Sequence, residues 1–178
     1  MSTCMNKDFI DIIGLCDPSI FDLITFPYWT QISIPETLII PEQKPDIEQI
    51  NSVNITVEIL RKKVIVTPNS NGIENQEGKL LTGRKIIVEG QLCQTINYTA
   101  DVPEQSVHSA HFVVPFSAFI VLANPIGTLD PLDINFDINA CVEDVFIMDV
   151  SPRQIFKNVT LFLQAVPAAM TECPDNNC

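Results

Sequence analysis

The sequence predicts an all-β fold: an antiparallel β-sandwich of about six or seven long strands with an extended N-terminal arm and a short C-terminal tail. Three observations predict it. Apolar and polar residues alternate with a period of two along several separate stretches. The connections between those stretches are too short to hold crossover helices. Proline and the Asn/Gly-rich segments fall between the periodic runs or at positions suited to edge strands.

Arg84 to Ile120 carries the strongest pattern. Ile86, Val88, Leu92, Ile96 and Tyr98 share one parity, while Lys85, Glu89, Gln91, Thr95 and Asn97 share the other. Asp101-Val-Pro-Glu104 breaks the run, and Ala110, Phe112, Val114 and Phe116 then line one face of a second strand. Pro115 confines that strand to an edge, a bulge or its own end.

Upstream, residues 1–28 read as an arm. Phe9, Ile10, Ile12, Ile13 and Leu15 suggest a short helix ending at Gly14–Asp17 and closed by Pro18, with a turn or second short helix over Asp17–Asp22. Trp29–Pro41 is extended, with Pro35 and Pro41 marking an edge or irregular ribbon. Val53, Ile55, Val57 and Ile59 alternate with Asn54, Thr56 and Glu58 in a clear strand. Arg61-Lys-Lys63 interrupts it, either as a docking patch or as a solvated edge that discourages wrong strand pairing. Pro68–Thr82 and Ala123–Asp133 are loops. Phe136–Val150 is a strand with Phe136, Ile138, Ala140 and Val142 on one side and Asp137, Asn139, Cys141 and Glu143 on the other. Ile155–Val166 is the last, with Val159, Leu161, Leu163 and Ala165 on one face, and Pro167 ends it. The expected division is an arm at 1–28, a sandwich domain at 29–166 and a cysteine-bearing tail at 167–178. The expected inward set is Ile86, Val88, Leu92, Ile96, Tyr98, Phe112, Val114, Phe116, Val142, Leu161 and Leu163.

The chain has 178 residues, of which 46% are hydrophobic, enough for a full core in one domain. Its 22 acidic and 10 basic residues leave a net charge of −12. Such a polyanion repels nucleic acid and anionic membrane. No apolar run approaches the roughly 18 residues that span a bilayer. The N-terminal stretch lacks the basic and apolar regions of a signal peptide, so synthesis in the cytoplasm is expected.

Six cysteines sit uneasily with a reducing cytosol: Cys4, Cys16, Cys93, Cys141, Cys173 and Cys178. Cys4, Cys16, Cys173 and Cys178 lie near the chain ends, badly placed to staple a core and well placed to reach another chain. They are candidates for intersubunit disulfides, formed when a protein made in the cytosol later meets an oxidising exterior; the alternative is thiols that stay reduced. Cys93 and Cys141 lie on the polar parity of their strands and pair with each other, face a second layer or neighbour, or stay reduced as half-buried thiols.

Nothing points to catalysis or to a cofactor. His108 and His111 are three apart in a strand, so they face opposite sides and cannot chelate one metal together. There is no C-x-x-C, G-x-S-x-G, P-loop, G-x-G-x-x-G or calcium loop. Asn54, Asn97 and Asn158 begin glycosylation sequons, but they fall inside strands and no signal peptide precedes them.

Three segments carry a family resemblance: KPDIEQINSVNITVEILRKKVIVTP at Lys44–Pro68, LTGRKIIVEGQLCQTINYTADVPEQSVHSAHFVVPFSAFIVL at Leu81–Leu122, and NACVEDVFIMDVSPRQIFKNVTLFLQA at Asn139–Ala165. K-P-D-I-E-Q-I and V-H-S-A-x-F-x-V-P-F are the most specific parts. The chain resembles the SPOCS domain family of spore-forming clostridia and their relatives. One member type is a coat-morphogenesis adaptor that binds the morphogenetic ATPase on the forespore surface. The resemblance supplies no enzymatic residue, and this chain lacks the adaptor's extra domains. It implies a non-enzymatic structural protein of the spore envelope (coat, exosporium or appendage fibre), made in the mother cell and partnered by itself and by other envelope proteins. The arm from Cys4 to Pro41 and the tail from Cys173 to Cys178 are the candidate donor segments. The alternative it implies is a non-polymeric adaptor for a coat-morphogenetic protein.

Overall fold

The computed structural model describes residues 10–168. They form seven strands: β1 (Asp11–Ile13), β2 (Trp29–Ile39), β3 (Ile47–Asn69), β4 (Thr82–Ala100), β5 (Val107–Val121), β6 (Phe136–Ser151) and β7 (Gln154–Pro167). Two short 3-10 turns lie at Pro18–Ile20 and Pro131–Asp133. One sheet has the order β1-β3-β4-β5 and the other β2-β7-β6. All pairs are antiparallel except β1 with β3, which is parallel. The all-β sandwich expected from the alternation is the fold observed.

β4 shows why. From Ile86 to Ala100 every even-numbered residue is buried and every odd-numbered one is half-buried. Pleating alone sends successive side chains to opposite faces, so one parity makes the core. Across the core, Val159, Leu161, Leu163 and Ala165 of β7 are fully buried. Nine of the eleven residues expected inward are buried, and Phe112 and Val114 are half-buried against the same cluster. Gly90 holds a close approach. A Cβ there would sit 2.6 Å from the Phe116 ring and 2.7 Å from the Glu58 carbonyl oxygen. Pro115 and Pro35 lie on β5 and β2, edge strands where a missing N–H costs no ladder bond.

Two of the crossovers between the sheets, β2 to β3 and β5 to β6, are each fixed by an arginine. At one end of β4, Arg84 grips Asp130 of the β5–β6 connection through two hydrogen bonds, Nε to Oδ1 at 2.8 Å and Nη2 to Oδ2 at 2.5 Å. At the other end, Arg153 of the β6–β7 turn donates to the Lys44 carbonyl at 3.1 Å, the Pro41 carbonyl at 2.6 Å and the Asp46 carboxylate. Tyr98 donates its hydroxyl to the Pro45 carbonyl at 3.1 Å. The K-P-D motif is thus the corner where the chain passes from β2 to β3.

Two local expectations change. The helix over residues 9–15 is instead an edge strand, β1, within the described part of that stretch. Ile10 and Ile12 pack on the core while Ile13 and Leu15 point out, a period of two. So short a segment cannot sustain a helix alone, and the open edge of β3 offers it ladder bonds. In β6, a bulge between Val142 and Asp144 reverses the parity, so Val145 and Ile147 follow Val142 inward.

The Arg84 pair makes the fold acid-sensitive. The guanidinium beside Asp130 holds its carboxyl down at about 2. The contribution is therefore complete above an ordinary Asp pKa of about 3.9 and disappears as pH falls through about 2. Urea midpoints for wild type and Asp130→Asn, measured between about pH 6 and pH 2, are expected to differ at the upper end and converge at the lower. A gap that stays constant with pH contradicts this assignment.

Candidate functional site

The sandwich has one long side where its strand edges do not close. β3 edges one sheet there and β6 edges the other, and the N-terminal segment lies across the gap. β1 pairs with β3, Asp11 to Ser52 through Ile13 to Asn54. The chain then turns at Gly14, with φ +109°. A Cβ at Gly14 would lie 2.0 Å from the Ile55 carbonyl oxygen, so only glycine fits this turn. Leu15 bridges to Val142 of β6, and Cys16 donates its backbone N–H to the Val142 carbonyl at 3.2 Å. The segment therefore engages both sheets within six residues, from Asp11 to Cys16.

A disulfide fixes the crossing. Cys16 is bonded to Cys141 of β6, with Cα atoms 5.5 Å apart and a sequence separation of 125. Cys16 joins its own chain here rather than a neighbour, and Cys141 takes Cys16 rather than Cys93. The physical reason is orientation. Cys93 and Cys141 each sit on the outward parity of a different sheet, so their side chains point away from each other. The arm covers the outer face at Cys141, which is only 2% exposed. Cys93 is a half-buried thiol beside Gln91 and Glu58, with Sγ distances of 3.9 and 4.0 Å. Cys4, Cys173 and Cys178 lie outside the described residues.

Beyond the disulfide the chain stays on the outer face of the β2-β7-β6 sheet. Phe21 packs edge-on against Phe162 at 4.8 Å, and Trp29 stacks on the same ring at 6.0 Å. Gln164, almost fully buried, donates to the Asp22 and Phe26 carbonyls, both at 2.9 Å. The arm thus holds to the body by a three-residue strand, one bridge, one disulfide and a few side chains. The expected donor stretch to Pro41 is shorter in practice, because Trp29–Ile39 is β2, with Ile32, Ile34 and Leu38 in the core cluster.

Alongside the arm a groove of about 580 Å³ follows the gap, lined by Cys16, Ile55, Val57, Ile138 and Ala140 among others. β1 covers only Ser52–Asn54, so among the described residues the β3 edge beyond it carries no partner strand. Arg61-Lys-Lys63 falls on this edge, at a register shift after Ile59. Arg61 meets Glu89 at 3.3 Å, and Lys62 meets Asp137 of β6 at 2.7 Å. These are paired, exposed side chains, in keeping with the solvated-edge reading.

His108 faces inward, stacked on Tyr98 at 5.9 Å, and its Nε2 lies 3.0 Å from the Ser106 hydroxyl. His111 faces out, with Nδ1 3.0 Å from the Thr95 hydroxyl. Among the described residues no cluster of three or more His, Cys, Asp or Glu side chains is placed to hold a metal ion.

Sequence reasoning passed over one constellation. Glu36 of β2 and Lys157 of β7 are cross-strand partners and form an ion pair whose side chains are 6% and 0% exposed. Gln94 of β4, from the opposite sheet, donates Nε2 to the same carboxylate at 2.9 and 3.2 Å. Burial pushes the Lys157 ammonium down, against the opposing pull of Glu36. The signal was available: Gln94 and Lys157 each stand on the inward parity of a strand, between apolar neighbours.

The family model described as SipL, SPOCS domain matches residues 46–149. That span runs from the start of β3 almost to the end of β6. No curated protein and no solved structure shows a significant match to the chain. The matched stretch covers more than half of the chain, and the protein therefore belongs to the SPOCS domain family.

Proposed function

We propose that this protein is a structural, self-assembling component of the spore envelope, in coat, exosporium or appendage fibre. Family membership supports a sporulation-related role. The observation that carries the finer reading is the arm: a short strand seated on two open edges, tied by one disulfide, and continuous with a connecting segment at residues 17–28. Contacts made by such a segment within one chain can be made unchanged on another copy, which is the low-cost route of strand exchange. The connecting segment reaches about 40 Å when extended. In the exchanged form the Cys16–Cys141 bond joins neighbours. Because each copy then both gives and receives an arm, a head-to-tail arrangement that does not close grows into a fibre or layer. Cys4, Cys173 and Cys178 supply further crosslinks between copies once the mother cell has lysed and oxidation begins. The role is non-enzymatic and takes no cofactor.

A second reading has its own support. The disulfide closes the arm onto its own chain, which suits a monomeric adaptor that binds a coat-morphogenetic protein. Electron microscopy and light scattering of the purified, oxidised protein separate the two. Ordered polymers support the first reading, and a monodisperse monomer supports the second.

In a chain whose Cys4, Cys173 and Cys178 are already replaced by Ser, Cys16→Ser is expected to leave assembly intact but make the polymer dissociate in hot detergent without reductant. In the monomer the same change removes a crosslink across 125 residues, for which loop-closure entropy sets a ceiling of about 5 kcal/mol. Polymers of Cys16→Ser as resistant as wild type contradict the exchanged disulfide.

Gly14→Ala tests the seat itself. A Cβ there collides with the Ile55 carbonyl, so the arm is expected to leave both edges while the domain stays folded. Alkylation under native conditions then labels Cys16 and Cys141, and assembly falls sharply. Full protection of both thiols together with normal polymers shows that this turn is not needed.

A further inference from the structure

We infer that Lys157 and Gln94 form an intramolecular amide crosslink that joins the two sheets through the core, with Glu36 carrying the proton. Four observations converge on this. Lys157, Gln94 and Glu36 are shut away from water, with Lys157 at 0% and Gln94 at 3% exposure. Nζ of Lys157 and Nε2 of Gln94 meet at the same oxygen of Glu36, Oε1. Lys157 and Gln94 come from opposite sheets, whose spacing of about 10 Å suits a lysine and a glutamine side chain laid end to end. Finally, the site is incompletely satisfied: among the described residues Gln94 Oε1 has no hydrogen-bond donor, and Lys157 Nζ has no acceptor beyond its contact with Glu36. An ammonium with three donors is thus held by one carboxylate, an arrangement that burial disfavours.

The chemistry balances without any outside reagent. Glu36 takes one proton from the Lys157 ammonium, leaving a neutral amine, the form that burial already favours. The amine nitrogen attacks Cδ of Gln94, and the C–N bond to the carboxamide nitrogen breaks. A second proton passes from the attacking nitrogen, by way of Glu36, to the departing one, which leaves as ammonia. The product is a secondary amide with one N–H, and Glu36 keeps one proton as a neutral acid. No redox change occurs and net charge is conserved. The orphaned Gln94 oxygen becomes the amide carbonyl and accepts a hydrogen bond from the Glu36 acid. Fixed neighbours make up for the weak electrophile, because the fold holds amine, carboxamide and acid together. Exclusion of water removes the competing hydrolysis.

Intact mass spectrometry of the full chain, reduced and denatured, decides the matter. The expected result is a mass lower than that of the sequence by one ammonia, with a branched tryptic peptide joining the segments around Gln94 and Lys157 and no cleavage after Lys157. Glu36→Gln and Lys157→Met are each expected to restore the full, uncrosslinked mass. A wild-type mass equal to that of the sequence overturns the inference, and this measurement does not depend on whether either variant folds. A loss of one water, with a peptide joining Lys157 to Glu36, overturns the assignment to Gln94.

Discussion

Strand β4 must keep one parity dry along its length, and the rest of the sandwich follows from that demand. It is the middle strand of the β3-β4-β5 meander, and its inward residues meet those of β7, the middle strand of the other sheet. A slip of one residue would turn Leu92, Ile96 and Tyr98 to the outside together. The register is held at both ends by side chains that belong to the crossovers rather than to the sheet. Arg84 binds the β5–β6 connection at the start of β4, and Tyr98 binds the β2–β3 corner near its end. Core and connections therefore specify the same alignment, and local and global preferences agree.

That agreement explains what was legible beforehand. Strands β3 to β7 were visible because their periodicity is a local property, and Pro35 and Pro115 marked edge strands because a missing donor is local too. The features that escaped depend on partners far along the chain. Ile10 and Ile12 are equally compatible with one turn of helix or one short strand, and only the waiting edge of β3 decides between them. The Cys16–Cys141 pair depends on how β6 lies beside the arm, which no spacing in the sequence encodes. Lys157 and Gln94 were missed for another reason. Apolar residues define each strand face and mask the polar intruders on the same parity, although a charge on a dry face is the more informative observation.

The boundaries of the family match bear on function. Residues 46–149 include the meander and most of β6, whereas β1, β2 and β7 fall outside. Of the disulfide, Cys141 lies inside the matched stretch and Cys16 outside it. The arm and its latch thus combine a surface belonging to the family domain with a segment that precedes it. Competition between seating an arm on its own body and seating it on a neighbour is set by reach and concentration rather than by new contacts. Proteins that join a shared domain to a separate connecting segment can change their assembly without changing their core.

The disulfide also decides how the molecule carries tension. With Cys16 bonded to Cys141, β2, β3, β4 and β5 lie inside a closed covalent ring. A pull applied at the two ends of the described chain passes through β1 to Cys16, crosses to β6 and leaves along β7. The ringed strands are mechanically slack, and stretching falls on the β1–β3 pairing and the β6–β7 hairpin. Reduction opens the ring and puts every strand in series with the load. Oxidation therefore changes a fully extensible chain into one with short compliant sections and a protected body.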